Sequence, residues 1–323
     1  MKSFRVLILA AAVLAPGLGN VVAQSYPTKP IRLIVPYAPG GATDAMARVY
    51  AGKFQEAWGQ PVVVENRAGA GGNIGAEVVA KAAPDGYTWL LNTSGQAIAP
   101  GLYKKLNYDP AKDLAPITQL VTTSLVLVTS AQSPYTSVKD LIGAIKGNPG
   151  KFNYGSTGIG SAPHLNGEMF RSSMALDVIH VPYKGDAQVF PALLAGEILY
   201  GFIPPQSGLA QIKAGKFRAL AVTGSNRQSA MPDVPTMMQS GVTEHEYNGW
   251  VAFFTSSGTP RDIIVKIADE AARMLHQPEV MKYNPGWGVD PVGNGPDAFA
   301  VIYRREIDRY TRLIREAKIP QVD

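Results

Sequence analysis

The stretch that decides the fold is IRLIVPYAPGGATD, which spans Ile31 to Asp44. It begins as an apolar strand, continues as a glycine-rich turn and leads into an amphipathic helix whose apolar residues recur every three or four positions from Met46. The first turn of a helix has backbone N–H groups without acceptors inside the helix, and these groups lie at the positive end of the helix dipole. Such a turn binds an anion, and a carboxylate suits it as well as a phosphate. The ligand contacts predicted from this turn are Tyr37, Ala38, Pro39, Gly40, Gly41, Thr43 and Asp44.

Outward from this stretch, strand-like runs alternate with helical periodicity. Residues Pro61 to Glu65 predict a second strand and Tyr87 to Leu91 a third, with a helical segment before each of them. The same alternation continues through most of the chain. This pattern favours an α/β fold with mainly parallel sheets and flanking helices.

A second domain is predicted from the buried strand Leu125 to Val128 onward. A chain of 323 residues is long enough for two domains. We therefore predict a two-lobed protein in which residues 24–126 and 251–323 form lobe 1 and residues 127–250 form lobe 2. Two crossover segments join the lobes, and the ligand cleft lies between them.

A second turn suited to an anion runs from Gly155 to His164. It also follows a strand and opens a helix, with Ser161 as a natural N-cap. Ligands of α/β sheets bind beyond the carboxyl ends of the strands, so one such turn in each lobe predicts a ligand held between the lobes. The alternative is an ordinary strand-to-helix connection. The contacts predicted from this turn are Ser156, Thr157, Ser161 and His164.

Two further turns follow strands at the same predicted edge, at Asn92 to Gln96 and at Val181 to Asp186. Their hydroxyl, amide and phenol groups can orient a ligand in a pocket, although either turn could serve only as a connection. The contacts predicted here are Ser94, Gln96, Tyr183, Lys184 and Asp186.

The sequence contains no complete catalytic or metal-binding motif. Residues 69–74, GAGGNI, depart from the dinucleotide fingerprint at Ile74, and no Gly-x-Ser-x-Gly elbow occurs. The four histidines lack metal-ligand spacing. We expect no enzyme activity, no cofactor and no metal. The alternative left open is a hydrolase with Ser94 or Ser156 as nucleophile and His164 as its base.

The N-terminus has the pattern of a secretory signal peptide. Lys2 and Arg5 precede an apolar run, and small residues lead to Ala23, after which we predict cleavage. The chain contains no cysteine, which argues against the lipid anchor of a bacterial lipoprotein. We therefore expect a protein of the Gram-negative periplasm.

The charge distribution argues against a nucleic-acid partner. The 30 Lys and Arg residues exceed the 25 Asp and Glu residues by only five, and they are spread singly along the chain. No basic run of the kind that follows a phosphate backbone is present.

Six stretches, taken together, resemble the solute-binding receptors of tripartite tricarboxylate transporters, also called the Bug family. They cover nearly all of the chain after the signal peptide. In order they are YPTKPIRLIVPYAPGG (26–41), PVVVENRAGAGGNIG (61–75), AKAAPDGY (80–87), HVPYKG (180–185), KAGKFRALAV (213–222) and PDVPT (232–236).

The resemblance implies a monomeric two-lobed periplasmic binding protein that closes on a small carboxylate by hinge motion. It implies that the loop from Pro36 to Asp44 holds the carboxylate through backbone groups and ordered water. Lobe 2 would close through the loops at Ser156 to His164 and at Tyr183 to Gln188. The closed receptor would then dock onto the membrane subunits of the transporter.

One departure from the family pattern concerns the ligand. Ile203 stands where many members have an acidic residue that can face an amine, so we predict that amino acids bind poorly unless Asp186 supplies the missing charge. The expected ligand is a dicarboxylate, a tricarboxylate or an aromatic acid. A sensor that presents the bound acid to a membrane kinase is an alternative that the sequence does not separate from uptake.

Overall fold

The computed structural model describes residues 26–322 except positions 38, 160, 184 and 244. The predicted signal peptide, residues 1–23, and its cleavage site lie outside the described residues, as do the predicted ligand contacts Ala38 and Lys184. None of the described helices combines the length and the apolar composition that crossing a membrane requires.

Strands and helices alternate along most of the described chain. The strands are β1 (Ile31–Val35), β2 (Val62–Asn66), β3 (Thr88–Thr93), β4 (Leu114–Thr123), β5 (Val126–Ser130), β6 (Asn153–Ser156), β7 (Ile179–Pro182), β8 (Tyr200–Ile203), β9 (Phe217–Val222), β10 (Gly249–Ser256) and β11 (Asp290–Pro291). The helices are α1 (Ala42–Trp58), α2 (Asn73–Ala80), α3 (Gly95–Leu102), α4 (Val138–Gly147), α5 (Ala162–Ser173), α6 (Asp186–Ala195), α7 (Pro205–Lys213), α8 (Arg261–Leu275), α9 (Pro278–Met281), α10 (Asn284–Trp287) and α11 (Pro296–Glu316).

The strands form two separate mixed sheets. The first has the order β11-β4-β10-β3-β1-β2, in which β1 is parallel to both neighbours and β10 is antiparallel to both. The second has the order β7-β6-β8-β5-β9, in which β6 is parallel to both neighbours and β5 is antiparallel to both. The predicted α/β fold with flanking helices is confirmed, but the described sheets are mixed rather than mainly parallel, because strands such as β5 and β10, which carry the chain between the sheets, pair antiparallel with their neighbours. The antiparallel strands β5 and β10 are those by which the chain enters the second sheet and returns to the first.

Helix α1 packs on the first sheet through one apolar face. Met46, Tyr50 and Phe54 are buried at helical spacing. The ring of Phe54 meets Trp89 edge-on at a centroid distance of 4.9 Å and Phe253 at 5.9 Å. Burial of each such side chain contributes about 1.5–3 kcal/mol. This packing fixes the N-terminus of α1 beyond the carboxyl end of β1.

Two crossings join the sheets, and they lie side by side. Strand β4 leads into β5 through Ser124, and β9 returns to β10 through residues 223–248. The N–H of Thr223 donates to the carbonyl of Leu125 at 2.9 Å, and the N–H of Tyr247 donates to the carbonyl of Thr223 at 2.8 Å. Thr223 therefore contacts both crossings.

Candidate functional site

A cavity of about 420 Å³ lies between the two sheets, beyond the carboxyl ends of β1, β3, β6 and β8. This is where open α/β sheets bind ligands, and both lobes of the predicted architecture contribute to it. Five of the residues predicted as ligand contacts line the cavity. They are Tyr37, Thr43, Ser94, Thr157 and Ser161.

The first-sheet side of the cavity is a group of connected hydroxyls. The phenol of Tyr37 donates to Oδ1 of Asn92 at 2.8 Å and lies 2.7 Å from the hydroxyl of Thr93. The hydroxyl of Ser94 lies 2.7 Å from the phenol of Tyr247. Burial raises the pKa of the Tyr37 and Tyr247 phenols, so both remain protonated near neutral pH and add no negative charge to the cavity.

Helix α1 directs its N-terminus to this side. Its N-cap, Gly41, has no side chain to satisfy the first helical turn, so the N–H groups at the start of α1 lack acceptors within the helix. Thr43 lies in that turn and lines the cavity. The start of α3, with Ser94 and Gly95, lines it as well. Two helix N-termini and several hydroxyls therefore face the same volume.

Asp44 lies behind the turn and does not line the cavity. Its carboxylate accepts hydrogen bonds from the N–H of Gly40 at 2.9 Å, from Nε of Arg48 at 3.0 Å and from Nδ2 of Asn66 at 2.9 Å. The hydrogen bond from Arg48 is the main cause that lowers the pKa of Asp44 to about 2, and the hydrogen bonds from Gly40 and Asn66 add to it. The N–H of Gly40 is thus already paired within the protein, and the role of Asp44 here is to close the turn.

Three other residues predicted from the first lobe are also set apart from the cavity lining. Pro39 and Gly41 are exposed and are not part of that lining. Gln96 is buried, where its Nε2 donates to the phenol of Tyr108 and its Oε1 accepts from Asn92. Gln96 therefore supports the end of β3 from behind.

In the second lobe, much of the predicted turn is paired within itself. The hydroxyl of Ser161 accepts from the N–H of His164 at 3.3 Å and donates to the carbonyl of Gly158 at 2.7 Å. The N–H of Gly158 donates to the hydroxyl of Ser156 at 3.2 Å. This turn therefore offers fewer unpaired backbone donors than the sequence predicts, and Thr157 and Ser161 are its residues at the cavity.

The remaining predicted contacts of the second lobe lie outside the cavity lining. His164 is buried and its ring stacks on His180 at 4.1 Å. Tyr183 is partly buried and its N–H donates to the carbonyl of Ser156 at 2.9 Å. The Oδ1 atom of Asp186 is buried without a hydrogen-bond partner among the described residues, and burial raises the pKa of this carboxyl.

Of the two nucleophiles in the hydrolase alternative, Ser94 lines the cavity with its hydroxyl 2.7 Å from the phenol of Tyr247, and Ser156 is inaccessible. His180, which the sequence did not suggest as a base, lies with Nε2 at 2.7 Å from the hydroxyl of Ser156. Ser156 is 1 % exposed and does not line the cavity. Burial, assisted by the charge of His164, lowers the pKa of His180 to about 4. A neutral His180 thus holds Ser156 in place.

The described lining of the cavity carries no charged side chain. Among the described residues that line it there is no Lys, Arg, His, Asp or Glu. A carboxylate bound here would be stabilised by hydroxyl groups, backbone N–H groups and helix dipoles rather than by a cation.

A second cavity of about 690 Å³ adjoins the crossings. Its lining comes mainly from residues 224–229 and from α11, and it carries charges of both signs, including Arg305 and Glu306. Trp250 lines both cavities, and its indole nitrogen donates to Oε2 of Glu306. We assign the ligand cleft to the smaller cavity because the predicted turns line it.

Several cavity residues were not predicted from the sequence. They include Thr93, Tyr103, Thr123, Gln206, Tyr247 and Trp250. Thr93 and Gln206 lie at or just after strand ends, so the rule that strand ends carry ligand contacts could have identified them. Tyr247 and Trp250 reach the cavity only because the second crossing folds against the first, and no local pattern indicates that.

The comparisons with known proteins agree with this arrangement. Residues 46–319 match the family model described as the tripartite tricarboxylate transporter family receptor. One relative from Bordetella pertussis is 37 % identical over 98 % of both chains. Another from the same organism, the protein BugT, is 37 % identical over 96 % of this chain and 95 % of its own.

Solved structures are similar over nearly the whole described chain. The periplasmic binding protein BugD is 32 % identical with a TM-score of 0.77, over 92 % of this chain and 100 % of its own. Rpa4515 of Rhodopseudomonas palustris, solved with adipate, is 32 % identical with a TM-score of 0.80 over the same shares. MatC of that organism, solved with bound malate, is 28 % identical with a TM-score of 0.75, over 90 % of this chain and 100 % of its own.

Proposed function

Because this chain belongs to the family of tripartite tricarboxylate transporter receptors, which are periplasmic solute-binding proteins, we propose that it captures a small organic acid in the cleft between its lobes. It then delivers the acid to the membrane subunits of a tripartite tricarboxylate transporter. Binding and release, without chemical conversion of the ligand, constitute this function.

The observation that carries the proposal is the convergence of hydroxyl-bearing residues and helix N-termini on one cavity whose described lining has no charged side chain. Tyr37, Thr43 and Ser94 line it from the first lobe. Thr157 and Ser161 line it from the second lobe, where the hydroxyl of Ser161 is already paired within its own turn. Charge-assisted hydrogen bonds to a carboxylate are about twice as strong as neutral ones, so these groups favour an anionic ligand.

The proposed mechanism is closure of the two lobes around the ligand. Lobe 1 comprises residues 24–126 and 251–323, and lobe 2 comprises residues 127–250. Closure brings the turn at Thr157 toward the turn at Thr43 and excludes water from the carboxylate. Hinge closure around a ligand is a common motion of two-lobed binding proteins.

The similar structures with adipate and malate support a carboxylate as the ligand. We expect amino acids to bind weakly. Ile203 leaves no acidic side chain at the end of β8, and a buried ammonium without a counter-charge is costly. Asp186 is the carboxylate that the sequence suggested as a substitute, and it does not line the cavity.

A thermal-shift and calorimetric panel tests the proposal, with the protein purified from the periplasm of an expression host. An organic acid at one hundred times its dissociation constant adds about 2.7 kcal/mol of stability. Thr43→Val should weaken binding at least fivefold, because it removes a hydroxyl from the carboxylate end. Thr243→Val, at an exposed threonine outside the cavity, is the matched control. A response to sugars or metal ions with none to organic acids would overturn the proposal.

A further inference from the structure

We infer that the preferred ligand carries one carboxylate on an apolar body, and that Ile159 covers this body when the lobes close. The inference rests on the proposed function and narrows its ligand class. It separates monocarboxylates with a hydrocarbon chain or ring from acids that are charged at both ends.

The first argument is the composition of the cavity wall away from the hydroxyls. Helix α3 contributes Ile98 and Leu102, which lie one turn apart on the same helical face. Leu125 and Val289 line the cavity from the hinge region and from the segment before β11. The start of α7 adds Pro205. A ligand body in contact with these side chains gains affinity by losing apolar surface to the protein.

The second argument is that none of the described residues lining the cavity supplies a counter-charge. Among the described residues that line the cavity, the titratable side chains are tyrosines. Burial raises the pKa of the Tyr37 and Tyr247 phenols, so these two stay uncharged near neutral pH. The first carboxylate has the hydroxyls and the helix N-termini of the first lobe. A second carboxylate would meet the apolar wall or a few uncharged polar side chains, Thr157, Gln206 and Ser161, and the hydroxyl of Ser161 is already paired twice. Burying an ionised group without a partner is strongly unfavourable.

The third argument is the position of Ile159. Its side chain lines the cavity and is 47 % exposed. It follows Gly158, whose φ of +129° is accessible to glycine and strained for other residues. The carbonyl of Gly158 accepts from both the N–H and the hydroxyl of Ser161, which holds this bend in place. An apolar side chain is thus fixed at the cavity on the lobe that moves, and closure would bury it against the ligand.

The experiment compares acids that differ only at the far end. Hexanoate and adipate have the same six-carbon chain, and adipate has a second carboxylate; benzoate and malate extend the comparison. Dissociation constants are measured by calorimetry on the full secreted protein. We expect hexanoate or benzoate to bind at least tenfold more tightly than adipate and malate. Equal or tighter binding of adipate or malate overturns the inference but leaves the proposed function standing. Failure of every organic acid to bind overturns the proposed function itself.

A pair of variants tests the role of Ile159. Ile159→Ala should raise the dissociation constant of the tightest monocarboxylate at least fivefold. The control is Ile179→Ala, because Ile179 is also a half-exposed isoleucine of the second lobe, at 55 %, and does not line the cavity. Melting temperatures of both variants establish that they are folded. An unchanged dissociation constant for folded Ile159→Ala would show that this side chain does not cover the ligand.

Discussion

The hydroxyl oxygen of Thr223 accepts a hydrogen bond from the backbone N–H of Leu125 at 2.9 Å. The same hydroxyl donates to the carbonyl of Tyr247 at 3.0 Å. Thr223 is fully buried, and water cannot replace either bond. One side chain therefore joins the segment that enters the second sheet to the segment that leaves it.

We expect Thr223→Val to destabilise the protein by about 1–3 kcal/mol, because an isosteric apolar side chain leaves a buried donor and a buried acceptor unpaired. Urea unfolding measures this change. Thr223→Ser keeps the hydroxyl and should lose less stability than the valine variant. A valine variant as stable as the parent would show that the hydroxyl of Thr223 does not hold the two segments together.

A second prediction concerns Gly288, which packs against Pro205 across the two sheets. A Cβ at Gly288 would lie 2.4 Å from the Cβ of Pro205, and its φ is +61°. Gly288→Ala should therefore displace α10 from α7 and change the affinity for the ligand severalfold. Gly215→Ala is the matched control, since Gly215 has a similar φ of +67° with open space around it.

Both glycine variants should lose about 1 kcal/mol of stability through backbone strain. Small-angle scattering and calorimetry then separate them, because only Gly288→Ala should alter the spacing of the lobes and the dissociation constant. If the two variants bind ligand equally well, the contact between Gly288 and Pro205 has no part in closure.

A third prediction concerns Glu306, whose carboxylate accepts the indole N–H of Trp250. Burial raises the pKa of Glu306 from 4.5 to about 7, although the Trp250 bond and the charges of Arg309 and Arg305 oppose this rise. The folded protein therefore binds this proton more tightly than the unfolded chain does. The free energy of unfolding should fall as the pH rises from about 4.5 to about 7 and then stay level.

Glu306→Gln should abolish this fall in the free energy of unfolding, because the glutamine side chain does not ionise. Its amide oxygen can still accept the hydrogen bond from Trp250. The variant should be more stable than the parent at pH 8, by up to about 3 kcal/mol, and should differ little from it at pH 4.5. Thermal unfolding between pH 4.5 and pH 8 measures the difference. Glu316→Gln, at an exposed position on the same helix, is the control. A constant difference across this range would contradict the raised pKa.

The fourth prediction concerns Asp44, which closes the turn after β1. Its lowered pKa means that it stabilises the folded protein above its ordinary pKa of 3.8 and loses this effect as the pH falls toward 2. Asp44→Asn should cost about 1–2 kcal/mol at pH 7, because the amide cannot accept all three hydrogen bonds. The cost should shrink at pH 2.5.

Asp297→Asn is the control for Asp44→Asn in urea unfolding. Asp297 pairs with Arg261, but its side chain is 86 % exposed, and exposed ion pairs contribute little. Losses of the same size in both variants would mean that the hydrogen bonds of Asp44 do not hold the turn.

The sequence predicts those strands and helices that are determined by their own residues, and it misses those that depend on contacts with distant segments. The run of Ile, Leu and Val from Ile31 to Val35 predicts β1 with its observed bounds. Strand β4 was not predicted, because Pro116, Thr118 and Gln119 interrupt the apolar pattern. Pairing with β10 on one side and β11 on the other supplies what its composition lacks. Helix α3 was not predicted either, since it contains Pro100.

The candidate site, like the fold, was predicted only where local sequence determines it. The turns at Tyr37 and Thr157 reach the cavity, as the rule for strand ends predicts. The positions of Asp44 and Gln96 behind the cavity depend on Asn66 and Tyr108, which are distant in sequence. A local pattern therefore indicates which turn faces a ligand. It does not indicate which side chain of that turn faces inward.

The adjacency of the two crossings limits how the molecule can move. Because Thr223 bonds both segments, we expect the two lobes to turn about a single axis rather than to slide or twist independently. Under the proposed function, ligand binding would then produce one closed shape rather than a range of shapes. A membrane partner that recognises this shape would distinguish the loaded receptor from the empty one without contacting the ligand.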